Sequence, residues 1–259
     1  MNNIELPSQF LKPTDENSVS ILISSLNTKA KYIQECLDSI KNQQCLFNME
    51  IIWINDGSDI IHTTILKKML DNFIKTTRFT KVIYYENEGN KGIGFTLNKG
   101  ITMCSNEIII KMDSDDIMVP NRIIKQFNYM KENSNIKICG SQVQMFDNNG
   151  NNKGVSNHPS ITWEQYKLNP NHWFINHPTV CYRKSAVLEA GNYDQNLKQM
   201  CEDFELELRM LKTHGYIYNF SEPLLYYRLH DKQVTYNGGE GGRDKWNDIR
   251  NKIINGLLG

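Results

Sequence analysis

The sequence has no excess of charge of either sign. Its 29 basic residues balance 29 acidic ones and the isoelectric point lies near 7.0, so no long-range field draws the chain toward nucleic acid or anionic lipid. Binding a polyanion is therefore not the expected main task. It also has no CxxC pair: Cys36, Cys45, Cys104, Cys139, Cys181 and Cys201 are scattered, several of them inside apolar periodic segments. Reduced thiols pack there as small hydrophobes, which fits a reducing, cytoplasmic compartment. No window approaches the about 18 consecutive apolar residues that signal a membrane span. The N-terminus MNNIELPSQFLKPTDENS lacks a basic start followed by an apolar stretch, so neither a transmembrane segment nor a secretory leader is expected. No repeat period is evident, and only an Asn-rich stretch approaches low complexity.

What is present is an alternation. SVSILIS (18–24) reads as a strand, with Asn27 or Thr28 available to cap a helix carrying Ile33, Leu37 and Ile40. MEIIWIND (49–56) is a second strand, Ile61, Ile65, Met69 and Phe73 mark a second helix, and TKVIYYEN (80–87) is a third strand. A short helix over 94–104 leads to NEIIIKMD (106–113), whose nearly unbroken apolar run fits a strand covered on both faces. Pro120 suits the first turn of a helix with Ile123, Ile124, Phe127 and Met130, and IKICGSQVQMF follows as a fifth strand. Strands alternating with helices predict right-handed crossovers and a mostly parallel sheet flanked by helices, an α/β fold. After about residue 147 the elements become shorter and less regular.

In an open parallel sheet ligands bind outside the carboxyl ends of the strands. Asp56 closes the second strand in INDGSD and Asp113 the fourth in KMDSDD, so the topology brings both to one edge. NDGSD also reads as a plain turn, with Gly57 at positive φ and Ser58 or Asp59 capping the next helix. DSDD also reads as a solvated loop. It is no EF-hand, because the glycine and the later ligands are missing. Acids at i and i+2 lie on one side of an extended segment, which suits Mg²⁺ or Mn²⁺ carrying substrate phosphates. Such a cation would relieve the repulsion of neighbouring carboxylates, about 4 kcal/mol at 4 Å near a protein surface.

The order SVSILISSLN, ECLDSIKNQ, MEIIWINDGS, NEGNKGIGFTLNKGI and NEIIIKMDSDDIMVPNRI resembles the nucleotide-binding half of family 2 glycosyltransferases of the GT-A (Rossmann-like) fold. NHPTVCYRKSAVLEAGNYD, CEDFELELRMLKTHG and EPLLYYRLH resemble the family's acceptor-side segment, so the likeness covers about 18–231. It implies one GT-A domain over 1–259: a nucleotide-sugar-binding half (18–147), a smaller acceptor-side part (148–231), and a C-terminal linker and helix (232–259). It also implies a metal-dependent, inverting transfer of a sugar, a hexose or N-acetylhexosamine, from a nucleotide diphosphate donor, usually a UDP-sugar, to a hydroxyl of a glycan, protein or lipid acceptor.

Carried over by resemblance, Asp56 contacts the base, and Asp113 the ribose or the metal. Asn27 and Lys91 line the nucleotide-sugar site. Asp115 and His230 join Asp113 as metal ligands for Mn²⁺ or Mg²⁺, and Asp203 is the base. Glu202 and His177 border the acceptor or sugar pocket. Each has a plainer reading: Glu202 and Asp203 as a helix start favoured by the macrodipole, His177 as a core histidine and His230 as a loop histidine. Trp163 and Trp173 are either core or a stacking platform for a sugar ring. NGGEGGRDK (237–245), with Arg243 and Lys245, is either a lid or a linker. The final helix, with Trp246, Ile249, Ile253 and Leu257 on one stripe, is expected to dock on the domain or on a twin subunit of a homodimer. The chain departs from the family pattern in SSLN, in Asn55 and in Leu97. The alternatives from other classes are a catalytically silent nucleotide-sugar-binding or scaffolding module and a nucleotidyltransferase, the latter opposed by the lack of a glycine-rich basic phosphate loop.

Overall fold

The computed structural model describes residues 17–45, 47–77, 80–170, 172–197, 201–231, 233 and 242–258. The polar lead before residue 17 and the glycine-rich 237–241 lie outside the described residues; 242–245 already belong to the last helix.

The expected alternation runs β1 (Ser18–Ser25), α1 (Ala30–Lys41), β2 (Asn48–Asn55), α2 (Ile60–Thr76), β3 (Thr80–Glu86), α3 (Ile93–Met103) and β4 (Ile108–Asp113). A short β5 (Ile117–Met118) precedes α4 (Arg122–Glu132) and β6 (Ile138–Asp147). The second half holds β7 (Asn152–Val155), β8 (Ile161–Thr162), α5 (Trp163–Leu168), a 3-10 turn (His177–Thr179), β9 (Cys181–Arg183) and α6 (Lys184–Glu189), then α7 (Glu202–His214), β10 (Tyr216–Leu229) and α8 (Gly242–Leu258).

The sheet order is β3-β2-β1-β4-β9-β6-β10-β5. β3, β2, β1 and β4 are parallel, β9 is inserted antiparallel between β4 and β6, and β10 runs parallel to β6. The sheet is thus mostly parallel, with its first four strands ending at one edge. Side chains alternate between faces along each strand. Leu22, Ile52, Ile54 and Ile109 join a core under α3 and α7, while Ile21, Ile23, Ile51, Trp53 and Ile110 join one under α1, α2 and α4. Burial on both faces is why these strands read as unbroken apolar runs.

Three expectations need correction. The residue capping α1 is Lys29, without a side-chain cap bond, rather than Asn27 or Thr28. Pro120 precedes the cap of α4, Asn121, and so lies outside that helix. The buried stripe of α2 is Thr63, Leu66, Leu70 and Phe73; Ile61 is 67% exposed and Ile65 37%. The helix is rotated from the expected face because Thr63 accepts a hydrogen bond from the buried Asn55 amide at 2.9 Å, turning 63 inward and 61 out. Of the two readings of Trp163 and Trp173 the core one holds: Trp163 stacks on Tyr166, and Trp173 lies between Phe204 and Trp246 of α8. Trp246, Ile249, Ile253 and Leu257 pack on the domain's own core, as expected.

The rotation of α2 makes a prediction. Leu66→Ala should cost about 2–5 kcal/mol, whereas Ile61→Ser should change stability by no more than about 0.5 kcal/mol. Denaturant unfolding of both variants checks it; equal losses would contradict the orientation.

Candidate active site

β1 ends between β2 and β4: Ser25 is in register with Asn55 and Ser24 with Asp113. Asp56 and Asp113 therefore flank one strand end, as the topology requires. The turn after β4 supplies Asp113, Asp115 and Asp116, whose ligand atoms all lie within 4.8 Å of one another. His230, just past the end of β10, hydrogen-bonds Asp115 Oδ2 through Nε2 at 2.8 Å. Asp116 points inward, fully buried: its Oδ1 accepts from the Arg228 main-chain N–H at 2.9 Å, and Oδ2 has no partner among the described residues. Burial, followed by the charges of Asp115 and Asp113, pushes its carboxyl well above the ordinary range.

Lys111 is the group the sequence reading missed. It is 2% exposed and its ammonium pairs with Asp113 Oδ1. Strand alternation aims 111 and 113 to the face of Ile109, the face covered by α7. Lysine is almost never buried unless paired, so a lysine inside NEIIIKMD was itself the signal.

α7 starts after Cys201, whose left-handed φ of +62° turns the chain into the helix. Glu202 and Asp203 occupy its first turn, and the Lys111 and Asp113 charges act on both. Burial, then the charge of Asp203, pushes Glu202 up to about 8. Asp203 is also raised, chiefly by burial, against a hydrogen bond from the Phe204 N–H at 2.7 Å and the Lys111 charge. Close to Glu202 is Gly94: a Cβ there would meet Asp194 O and Leu197 O at 2.6 Å, so only glycine lets α3 approach the segment leading to α7.

One turn below Asp203, Glu207 is 1% exposed and shares a 2.8 Å hydrogen bond with His177 Nδ1. The other His177 ring nitrogen lies 3.4 Å from Tyr193 Oη, itself 3.2 Å from Tyr182 Oη. Burial raises the Glu207 carboxyl well above, and lowers His177 well below, their usual values. Both shifts favour the uncharged forms, and His177 sits in the core with both ring nitrogens engaged, beneath the acids of α7.

The other side of the edge is bound together by Asp56. Its Oδ1 accepts from Asn87 Nδ2 at 2.7 Å and from the Lys91 N–H at 2.9 Å, and its Oδ2 from the Gly92 N–H at 3.0 Å. Lys91 contributes this main-chain contact while its side chain is exposed. Gly57 has φ +75°, and a Cβ there would strike the Gly89 carbonyl carbon at 2.2 Å; the DGS turn and the 87–92 loop are interlocked. Asp59 caps α2. Asn27, φ +50°, receives the Asp59 N–H on Oδ1 and donates its own N–H to Ser58 Oγ, both at 2.9 Å. Asn55, fully buried, donates to Thr63 and Tyr84 and accepts the Ser58 N–H, so it shapes the turn from beneath. Leu97 is fully buried in the core under α3.

A model of glycosyl transferase family 2 matches residues 20–191. The chain belongs to that family. Among its relatives is the O-antigen biosynthesis glycosyltransferase WbnJ of Escherichia coli, 32% identical over 218 residues that cover 82% of this chain and 80% of that one. The family 2 enzyme is therefore a glycosyltransferase. Staphylococcus aureus TarS, solved in complex with UDP-GlcNAc, has the same GT-A fold: TM-score 0.70 at 18% identity, over 91% of this chain and 65% of that one. The mannosyltransferase PcManGT of Pyrobaculum calidifontis, solved with GDP-Man and Mn²⁺, shares it at TM-score 0.63 and 11% identity, over 85% of this chain and 59% of that one. No helix among the described residues is long and apolar enough to cross a membrane.

The buried Glu207 makes a second prediction. A carboxyl whose folded value lies above its unfolded value of about 4.3 stabilises fully at lower pH and loses that contribution as pH rises toward the folded value. Glu207→Gln keeps a donor for His177 without a proton to lose. Its melting temperature relative to wild type should climb as pH rises above the unfolded carboxyl value of about 4.3; a difference constant with pH would show that Glu207 is not raised in the fold.

Proposed function

We propose that this glycosyltransferase is metal-dependent and inverting, taking a hexose or N-acetylhexosamine from a UDP-sugar to an acceptor hydroxyl. The observation that supports this most is the meeting of the Asp113–Asp115–Asp116 turn with His230 on one side and with Lys111, Glu202 and Asp203 on the other. We read 18–147 as the donor half and 148–231 as the acceptor side of one unit.

The donor set fits a divalent cation: hard carboxylate oxygens within 4.8 Å, an imidazole against one of them, and a buried Asp116 oxygen without a partner among the described residues. Asp113, Asp115 and His230 would hold Mn²⁺ or Mg²⁺. When bound, the cation would stabilise the negative charge gained by the departing diphosphate. Asp56 would meet the base: its carboxylate carries three hydrogen bonds of the about four its lone pairs can accept. Asn27 and Lys91 would border the same end.

Asp203 is the proposed base. The acceptor hydroxyl attacks the anomeric carbon on the face opposite the leaving group, a C–O bond forms as the bond to the diphosphate breaks, and the hydroxyl proton passes to an Asp203 oxygen. Glu202, with its own carboxyl raised to about 8, would be protonated at neutral pH and spare Asp203 a second adjacent charge. Base catalysis of this kind is worth about 10²–10⁴ in rate.

The experiment is calorimetric titration of UDP and several UDP-sugars, with Mn²⁺ and with chelator, on wild type and Asp115→Ala. Metal-dependent binding should weaken at least about tenfold, roughly 1.4 kcal/mol, in the variant. Asp203→Asn should keep donor binding and lower kcat by about 10²–10⁴, and the acid limb of wild-type kcat/KM should fall above the ordinary aspartate value of about 3.9. Binding indifferent to chelator and to Asp115→Ala would overturn the metal reading; full turnover by Asp203→Asn would overturn the base.

A further inference from the structure

Arg228, the penultimate residue of β10, lies two residues before His230. It is 3% exposed. Its guanidinium carbon lies 4.4 Å from the Tyr32 ring centroid and 4.6 Å from that of Phe146, so α1 and β6 each press an aromatic ring against it. In its plane, Nη2 donates to Glu35 Oε2 at 2.5 Å and Nε donates to the main-chain carbonyl of Asp115 at 2.8 Å. The Arg228 main-chain N–H holds Asp116 Oδ1 at 2.9 Å. Tyr32 in turn donates to Asn148 Oδ1 at 2.7 Å, and its ring centroid is 5.2 Å from that of His230.

The Arg228 contacts tie the segment carrying His230 to the turn carrying the acids and to α1 and β6. Near-neighbour carboxylates repel; Lys111 holds the Asp113 side chain and His230 meets that of Asp115, but neither fixes the main chain of the turn that carries them. Arg228 grips the turn at the Asp115 main-chain carbonyl and, through its own N–H, at the Asp116 carboxylate, and leaves the Asp115 side chain facing His230. A planar, stacked guanidinium with two donors aimed at separate acceptors suits this task and an ammonium does not: lysine cannot present two donors at a fixed angle or stack on two rings at once.

We propose that Arg228 is a positioning residue for the cation and diphosphate end of the donor site, its guanidinium holding the Asp115 main-chain carbonyl and its N–H the Asp116 carboxylate, so that the Asp113 and Asp115 carboxylates converge with His230. Glu35 fixes the guanidinium from α1. This inference rests on the metal-dependent reading above.

The test compares Arg228→Met, Arg228→Lys and Glu35→Gln with wild type in three measurements: Mn²⁺ affinity by electron paramagnetic resonance with and without UDP, UDP affinity by calorimetry in Mn²⁺ and in chelator, and donor KM against kcat. Arg228→Met should weaken Mn²⁺-dependent UDP binding at least tenfold and raise donor KM more than it lowers kcat. UDP affinity in chelator and the near-ultraviolet circular dichroism should be unchanged, and Arg228→Lys should recover only part of the loss. Should Arg228→Met fail to fold, the same partial loss in Arg228→Lys, with a smaller one in Glu35→Gln, carries the result. Wild-type Mn²⁺ and UDP affinities in folded Arg228→Lys or Arg228→Met, with only a lower melting temperature, would overturn the inference and leave the proposed function standing. A wild type that binds neither Mn²⁺ nor UDP would overturn both.

Discussion

One buried ammonium organises this site. Lys111 sits at the end of a strand covered on both faces, pairs with Asp113, and its charge reaches Glu202, Asp203 and Glu207 on α7. Burial alone would make every one of these acids shed its charge. The Lys111 charge opposes the effect of burial at Asp203 and at Glu207, whose carboxyl, tied to His177, burial still pushes well above the ordinary range. The acids at the end of β4 and those at the start of α7 are thus parts of one electrostatic unit, although ninety residues of chain separate them.

The parallel half of the fold was legible because its strands are covered on both faces and its helices are periodic: β1 through β4 and α1 through α4 all stand where the apolar pattern puts them, apart from ends. The reading of α2 failed at its face, since isoleucines at 61 and 65 are as regular in spacing as the residues that are buried; a hydrogen bond from Asn55 to Thr63 decides the rotation, and no periodicity records it. β10 was not read as a strand: Pro223 and two register shifts interrupt its pairing with β6, and β9 is too short for a pattern.

The same division holds in the site. Asp56 and Asp113 were placed by topology, and the DSDD turn by its charge. His177 was visible as a histidine, yet its position beneath Asp203 comes from a 3-10 turn whose direction the sequence does not reveal. Lys111 and Arg228 were visible and overlooked: each is a charged residue at the inward phase of a strand, one in an apolar run and one two residues before His230. Charged residues at inward positions are rare enough that alternation by itself picks both out.

The interlock of Gly57 with Gly89 has an entropic side. The 87–92 loop is closed against one carboxylate by two main-chain N–H groups and the Asn87 amide, and is wedged where no Cβ fits. Its few degrees of freedom were surrendered when the chain folded. A molecule docking against that edge meets a wall already ordered, so its affinity is not reduced by freezing a loop, and a small contact area there holds more tightly than the same area on a slack segment.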